Sequence, residues 1–493
     1  AFYGTEEPRR SPRRKSESRL RRVPAGRLPS AVITTEIAIV GSGAAGSVLA
    51  AELVAAGHQV LVLERGRHVE PDEPGADELY RRASLLADGG IGAILDPARA
   101  VLASSCVGGN TNLGHGPLIR PDDEALERLL ARVPVDQHEL QWAFDMPPEG
   151  ATESLPLPHA DERVATVERG LLDASVGFHR LADAPGPEWV NPSALDALLP
   201  SAQDAAGERL VVLSECTVRR LAIEAGKVRR LECRLTDGRE LEVLADTVVV
   251  AAGVLESCAL LRRSGIEGAG QGVSLYAGAE LAGDFEEPFP SHAAAPASWR
   301  TDDGSLLRLE QRAAATAALR TPGDHVQHLS AMQRRDHQIA LSALIGTAPG
   351  VASINDEGKL QLRIPPEETT RLRRSLAVAA RSLLGAGAGF VVPAADRYAR
   401  ITAAGELGDA RLWLTTVYPL GGNALSADPA AGVVDAEFRV HRHSNLFVCD
   451  ASVLPRSLDV DPQLTVMALA RLAARAVSRS ARSAGQSRPA RGC

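Results

Sequence analysis

The chain has 493 residues, 45% hydrophobic and 24% charged, with a formal net charge of −8; that length allows two or three domains around large cores. It contains no run of about 18 apolar residues, which excludes a transmembrane helix. Its acidic balance argues against nucleic acid as a partner, because phosphate binding needs clustered positive charge.

Residues 1–33 read as a basic, disordered tail, with nine Lys/Arg against three Glu in the first thirty and no apolar stretch of a secretory signal. A cytoplasmic protein with reduced thiols is therefore expected. The six cysteines are scattered without a C-x-x-C pair, so no metal site is expected.

TTEIAIVGSGAAGSVLAAELVAAGHQVLVLERG follows, Thr34 to Gly66. EIAIV has the apolar, β-branched character of a buried strand, SVLAAELVAAG that of a helix ending at Gly57, and VLVLE that of a second strand. Gly41, Gly43 and Gly46 between them form G-x-G-x-x-G. The first glycine allows a tight turn, the second lets backbone approach a pyrophosphate, and the third lets helix and strand pack closely. The helix start at Ala44 and Ala45 points free N–H groups at an anion. Glu64 can accept hydrogen bonds from ribose hydroxyls. These parts in register specify a dinucleotide grip, without separating FAD from NAD.

SSCVGGNTNLGHGPLIRP, Ser104 to Pro121, is a second glycine-rich segment. Gly108, Gly109, Asn110, Thr111 and Asn112 offer bare backbone and small polar groups, either as a surface loop or as a strip along a cofactor. Farther on, several short strands turn at Asp237-Gly238, and TVVVAAG then leads into a helix at Ala252 and Gly253. PPEETTRLRRSLAVAARSLLGAGA, Pro365 to Ala388, reads as a long amphipathic helix closed by glycine.

AIVGSGAAGS…LERG, VGGNTN, VVVAAGVLES…LLRRSGI and the C-terminal GVVDAEFRVHRHSNLFVCDASVLPRSLDVDPQLTVMALA occur in the order seen in glucose–methanol–choline (GMC) oxidoreductases. Together they resemble that family. YPLGG, Tyr418 to Gly422, is similar to the HPLGG of its cholesterol-oxidase and long-chain-alcohol-oxidase branch. The resemblance implies FAD in an α/β fold: a doubly wound, Rossmann-like cofactor domain built from discontinuous segments, with a mainly antiparallel substrate domain. The expected division is cofactor domain 34–130, 206–290 and 411–480, substrate or cap regions 131–205 and 291–410, and a disordered tail 481–493. It further implies that Gly41, Gly43, Ala44, Ala45, Gly46, Glu64 and Arg65 hold the ADP half, with Val218 meeting the adenine through its backbone. Gly108 to Asn112, Ala252 and Gly253 would line the flavin side, and Asp450 and Ala451 the ribityl–pyrophosphate region. Pro462, Gln463 and Leu464 would present a helix N-terminus to the flavin edge. Leu113 stands where some relatives attach FAD through histidine, so noncovalent FAD is expected, with His115 a local packing residue.

Members of this family oxidise an alcohol by hydride transfer to flavin N5 while a base, usually histidine, removes the hydroxyl proton. At the two matched positions this chain has Tyr418 and Asp461. A phenol is a poor base at neutral pH, so Tyr418 reads as a hydrogen-bond donor or a pocket wall. Asp461 reads either as a base with a raised pKa or as a structural residue. Lacking the histidine whose positive charge helps oxygen reduction, the chain is expected to be a dehydrogenase of a small aliphatic or compact alcohol. Its electron acceptor would be other than, or additional to, O2, and a partner protein fits that role. A second reading is a family member that holds FAD without oxidising alcohols, as a scaffold or subunit.

Overall fold

The computed structural model describes residues 32–69, 78–87, 103–112, 118–145, 162–181, 209–289, 297–302, 304–310, 314–407 and 411–486. Most of the basic head, Leu113, His115 and the final residues lie outside that set.

Two sheets organise the chain. The first contains β1 (Val32–Val40), β2 (Val60–Leu63), β4 (Leu210–Leu213), β5 (Cys216–Glu224), β6 (Lys227–Leu235), β7 (Glu240–Val250) and β16 (Leu446–Val448). Its order is β4-β2-β1-β7-β6-β5, with β16 also on β7. The second contains β3 (Phe178–Arg180), β8 (Gln271–Asp284), β9 (Ser298–Thr301), β10 (Leu306–Leu309), β11 (Gln338–Gly346), β12 (Ala352–Ile354), β13 (Leu360–Leu362), β14 (Phe390–Pro393) and β15 (Thr415–Gly422). All its pairings are antiparallel, centred on β8.

In the first sheet β1, β2, β4, β7 and β16 run parallel. Such strands are buried on both faces and need continuous apolar runs; Val60–Leu63 is buried throughout. The central β7 changes partner along its length: its Glu240–Val243 half pairs with β6, and Val248–Val250 with β16. β1 starts at Val32, ahead of the EIAIV segment, because its first residues pair with the antiparallel half of β7, Val32 opposite Glu242. The turn between β6 and β7 falls at Gly238, with φ 90° and a Gly238 N–H bond to the Leu235 carbonyl of 2.9 Å.

Helices α1 (Ala44–Ala55), α2 (Asp123–Leu130), α3 (Gln137–Asp145), α4 (Glu162–Asp173), α5 (Gly253–Arg263), α6 (Pro366–Gly385) and α7 (Gln463–Gln486) complete the layers used below. Leu49 and Leu53 of α1, Leu129 of α2, Leu140 of α3 and Val477 of α7 join one core with the first sheet. Val167 and Leu171 of α4 and Leu376 and Leu383 of α6 join a second core against β8, β10 and β11.

These contacts redraw the expected divisions. The stretch 131–205 splits, α3 packing with the cofactor core and α4 with the substrate core, since each presents its apolar face to a different sheet. β8 and β15 fall in stretches read as cofactor domain, yet both belong to the second sheet. α7 runs to Gln486, into the stretch read as a tail, because Ala481 is still buried in the first core.

Candidate active site

The ends of β1, β2, β7 and β16 converge where β1 lies between β2 and β7, the crevice in which open parallel sheets bind ligands. Gly41 leaves β1 with φ 101°, and a Cβ there would sit 2.4 Å from the Ala251 carbonyl oxygen. A Cβ on Gly46 would lie 2.1 Å from the Gly41 carbonyl oxygen. Both glycines are thus required by close approach of backbone to backbone.

Ser42, a variable position of the motif, ties this loop together. Its hydroxyl donates to Glu64 Oε2 (2.7 Å), its N–H reaches the same oxygen (3.1 Å), and it accepts from Gly108 N–H (3.0 Å). Glu64 also accepts from Gly66 N–H at 2.9 Å. Burial pushes the Glu64 pKa up against these bonds. Sequence reasoning passed over Ser42; a small hydroxyl between the first two glycines was the available signal.

The second glycine segment forms a short 3₁₀ turn, Gly109–Asn112, with Gly109 at φ 61° and its Cβ direction 2.8 Å from Gly43 Cα. Asn110 Oδ1 accepts from Ser104 N–H (2.9 Å), and the Thr111 hydroxyl donates to the Gly108 carbonyl (2.7 Å). The two glycine loops therefore face one another. Arg65 is committed elsewhere, to Glu256 Oε1 (2.6 Å) and the Ser104 carbonyl (3.0 Å), bracing α5 against this loop. Val218 lies on β5 beside a register shift, opposite Cys233.

Asp450, after β16, gathers the third turn. Its Oδ2 accepts from Gly253 N–H (3.0 Å) and the Ser257 hydroxyl (2.5 Å), and its Oδ1 from Ser452 N–H (2.8 Å). Ala252 and Gly253 open α5, and Ala451 follows Asp450 in a short turn. Pro462 precedes α7, whose first residues are Gln463 and Leu464. Gln463 Nε2 and Thr465 Oγ1 are buried there without a hydrogen-bond partner among the described residues.

Tyr418 and Asp461 come from different elements, β15 and the residues leading into α7, and the fold buries them close enough for each to perturb the other's titration. Tyr418 has φ 50° and packs edge-on against Tyr276, ring centroids 5.9 Å apart. Its hydroxyl accepts from Arg308 Nη1 at 3.1 Å. Arg308 in turn grips Glu310 Oε1 through Nε (3.0 Å) and Nη2 (2.8 Å). Asp461 Oδ1 also accepts from Gln463 N–H at 2.9 Å, capping α7. Tyr276, Arg308 and Glu310 were not singled out from sequence: LLRLE reads as an ordinary strand with outward charges.

Burial raises the Asp461 carboxyl pKa, opposed by the Gln463 N–H, Tyr418 and Arg308. Burial and the neighbouring Asp461 push the Tyr418 phenol well above its already high value. Burial would also raise Glu310, but Arg308 beside it brings the net shift below the usual carboxylate range. Arg308 and Glu310 nonetheless keep 27% and 20% of their side-chain surface exposed, so this cluster is deep but not sealed. Farther along the same sheet face a cleft of about 270 Å³ opens between Glu280, Arg334 and Arg400, without Tyr418 or Asp461 in its lining.

Known proteins similar to this chain identify its family. Residues 191–277 and 358–470 match family models described as GMC oxidoreductase, and residues 39–69 one described as NAD(P)-binding Rossmann-like domain. An uncharacterised GMC-type oxidoreductase of Mycobacterium tuberculosis is 30% identical over 477 residues, 89% of this chain and 75% of the relative. The chain belongs to the GMC oxidoreductase family. Another GMC-type relative, from Sinorhizobium fredii, is 28% identical across 92% of this chain and 97% of its own. A long-chain-alcohol oxidase of Arabidopsis thaliana is 22% identical across 89% of this chain and 67% of its own. Among solved structures, a pyridoxine 4-oxidase superposes with TM-score 0.62 at 22% identity, covering 90% of this chain and 98% of that one. A formate oxidase gives TM-score 0.66 at 13% identity, covering 91% and 99%.

The cofactor of this GMC oxidoreductase is FAD, and the cradle fits it. A Cβ on Gly43 would meet nothing within 4 Å, nor would one on Gly253, so both backbones face open space. The unpartnered Gln463 Nε2 and Thr465 Oγ1 offer polar groups at a helix start, where N–H groups and dipole favour negative charge. Among the described residues no helix is long and apolar enough to cross a membrane.

Proposed function

We propose that this GMC protein oxidises the CH–OH group of a small aliphatic or compact alcohol. Asp461 would take the hydroxyl proton, and Tyr418 would aim it. The carrying observation is that the fold buries Tyr418 and Asp461, the two positions matched to proton transfer, beside one another, with Arg308 bonded to the Tyr418 oxygen. Bound FAD supplies the hydride acceptor. Gly41, Gly43, Ala44, Ala45 and Gly46 would hold its pyrophosphate, with Glu64 and Val218 toward the adenosine and Arg65 bracing that end. Gly108 to Asn112, Ala252, Gly253, Asp450 and Ala451 would line its middle, and Pro462 to Leu464 the ring edge.

Tyr418, with its proton affinity raised, keeps its proton and would offer it to Asp461 as a hydrogen bond. Asp461 has a carboxylate more basic than usual, which suits a general base working near neutral pH. As the alcohol O–H bond breaks, an O–H bond forms on Asp461.

The charge around the site supports a dehydrogenase. Glu310 matches the Arg308 guanidinium, so this pair adds no net positive charge to favour electron transfer to O2. An acceptor other than, or in addition to, O2 follows, a partner protein being one candidate. Among the described residues, Cys216, Cys233, Cys258 and Cys449 are buried thiols, which suits a reducing, cytoplasmic setting.

The test is anaerobic mixing of the FAD-loaded protein with a panel of primary and secondary alcohols, followed by air or an artificial acceptor. Flavin bleaching by an alcohol, with slow reoxidation in air and fast reoxidation by the acceptor, is expected. Bleaching by dithionite alone would instead favour an FAD-holding scaffold.

A further inference from the structure

We infer that the Arg308–Glu310 pair is a positioning element for proton transfer, setting the orientation of Tyr418 and the proton affinity of Asp461. This rests on the reading of Asp461 as proton acceptor.

The geometry constrains the Tyr418 hydroxyl. Arg308 has donors only, so its 3.1 Å bond occupies a lone pair of the phenol oxygen. The phenol proton is then directed away from Arg308 and is available to the neighbouring Asp461 carboxylate. Arg308 is in turn fixed by Glu310, two residues along the chain on the same face of the strand, through Nε at 3.0 Å and Nη2 at 2.8 Å. A guanidinium held at three nitrogens cannot rotate away without breaking all three bonds. The edge-on contact with Tyr276 confines the Tyr418 ring from another side.

Charge works through the same groups. Arg308 favours the ionised form of Asp461, while Glu310 offsets Arg308. Among the described residues, Tyr276, Asp459 with its partner Arg128, and Arg320 also lie near this cluster. Tyr276 donates to the Val460 carbonyl (3.4 Å), and Asp459 is paired with Arg128. The charge of Arg320 also favours the ionised form of Glu310. Neither Arg308 nor Glu310 needs to touch the alcohol for this effect; both act through Tyr418 and Asp461.

Two substitutions should move one titration in opposite directions. Arg308→Met removes the cation and should raise the Asp461 pKa by about 1 unit or more. Glu310→Gln, nearly isosteric, leaves the cation unmatched and should lower it. The titration is read on holoprotein carrying ¹³C-labelled aspartate, with the Asp461 signal assigned by its loss in Asp461→Asn. The acid limb of alcohol-driven flavin bleaching should shift in the same two directions. Arg308→Lys should keep the titration near its original place while lowering the bleaching rate, since the charge survives but the fork does not. Shifts of the same sign, or no shift in either variant, would overturn the inference. If no alcohol bleaches the flavin, the carboxylate titration still decides this point while the catalytic reading alone fails.

Discussion

Replacing Tyr418 with Phe removes one oxygen and leaves the ring against Tyr276. In the native arrangement that oxygen accepts from Arg308 at 3.1 Å, and in the proposed mechanism it donates to the adjacent Asp461. A hydrogen bond to a charged group contributes about 1.5–3 kcal/mol. At about 1.36 kcal/mol per unit, losing it from the ionised side of Asp461 raises that pKa by about 1–2 units. The sign follows from which form is stabilised: the carboxylate loses a donor, so the protonated form persists to higher pH. The pH at which alcohol reduces the flavin should climb by the same amount, measured by anaerobic stopped-flow across pH. Stability should change too. The folded pKa of Asp461 already lies above its unfolded value of about 3.9, so stability is lost as pH rises from the unfolded toward the folded value. Tyr418→Phe widens that window, and urea unfolding of the holoprotein should show the extra loss above it. A pH profile superimposable on that of the native protein would refute the proposed coupling.

Other substitutions separate the cradle from the scaffold. Gly43 has φ −68° and open space in its Cβ direction. Gly43→Ala should therefore fold normally but bind FAD at least about tenfold more weakly, read by flavin retention in gel filtration. Gly41→Ala forces a Cβ to 2.4 Å from a carbonyl oxygen at φ 101°; it should lower stability by about 1–3 kcal/mol, read by chemical denaturation. Asp459 has φ 59° and is paired with Arg128. Arg128→Ala should loosen the turn into α7 and slow flavin reduction with little change in FAD content, checked by stopped-flow and absorbance.

The legible parts of the fold are those whose chemistry is contiguous. The Gly41–Gly43–Gly46 spacing, flanked by apolar runs and followed by Glu64, specifies strand, turn, helix and strand within about thirty residues, and the sheet has them in that order. The helix read over Pro365 to Ala388 is α6, Pro366–Gly385, with Gly387 left-handed just beyond it at φ 102°. Partners distant in sequence were not legible. Arg308 and Tyr418 are 110 positions apart and meet because β10 and β15 face the same space from one sheet. Local pattern gives Arg308 only an alternating strand, in which a charge normally points to water. The division into domains was blurred for the same reason. β8 follows the cofactor-domain helix α5 directly, and its side of the boundary is set by pairing with β11, β14 and β15 rather than by a linker.

The central claim is that Asp461 accepts the alcohol proton. It is tested most directly by comparing the native protein with Asp461→Asn in anaerobic stopped-flow against the same alcohol. Asparagine keeps an oxygen to cap α7 but cannot hold the proton. Flavin bleaching by alcohol should fall at least about 100-fold, while FAD content and reduction by dithionite stay unchanged. Bleaching at the native rate in Asp461→Asn would contradict the account.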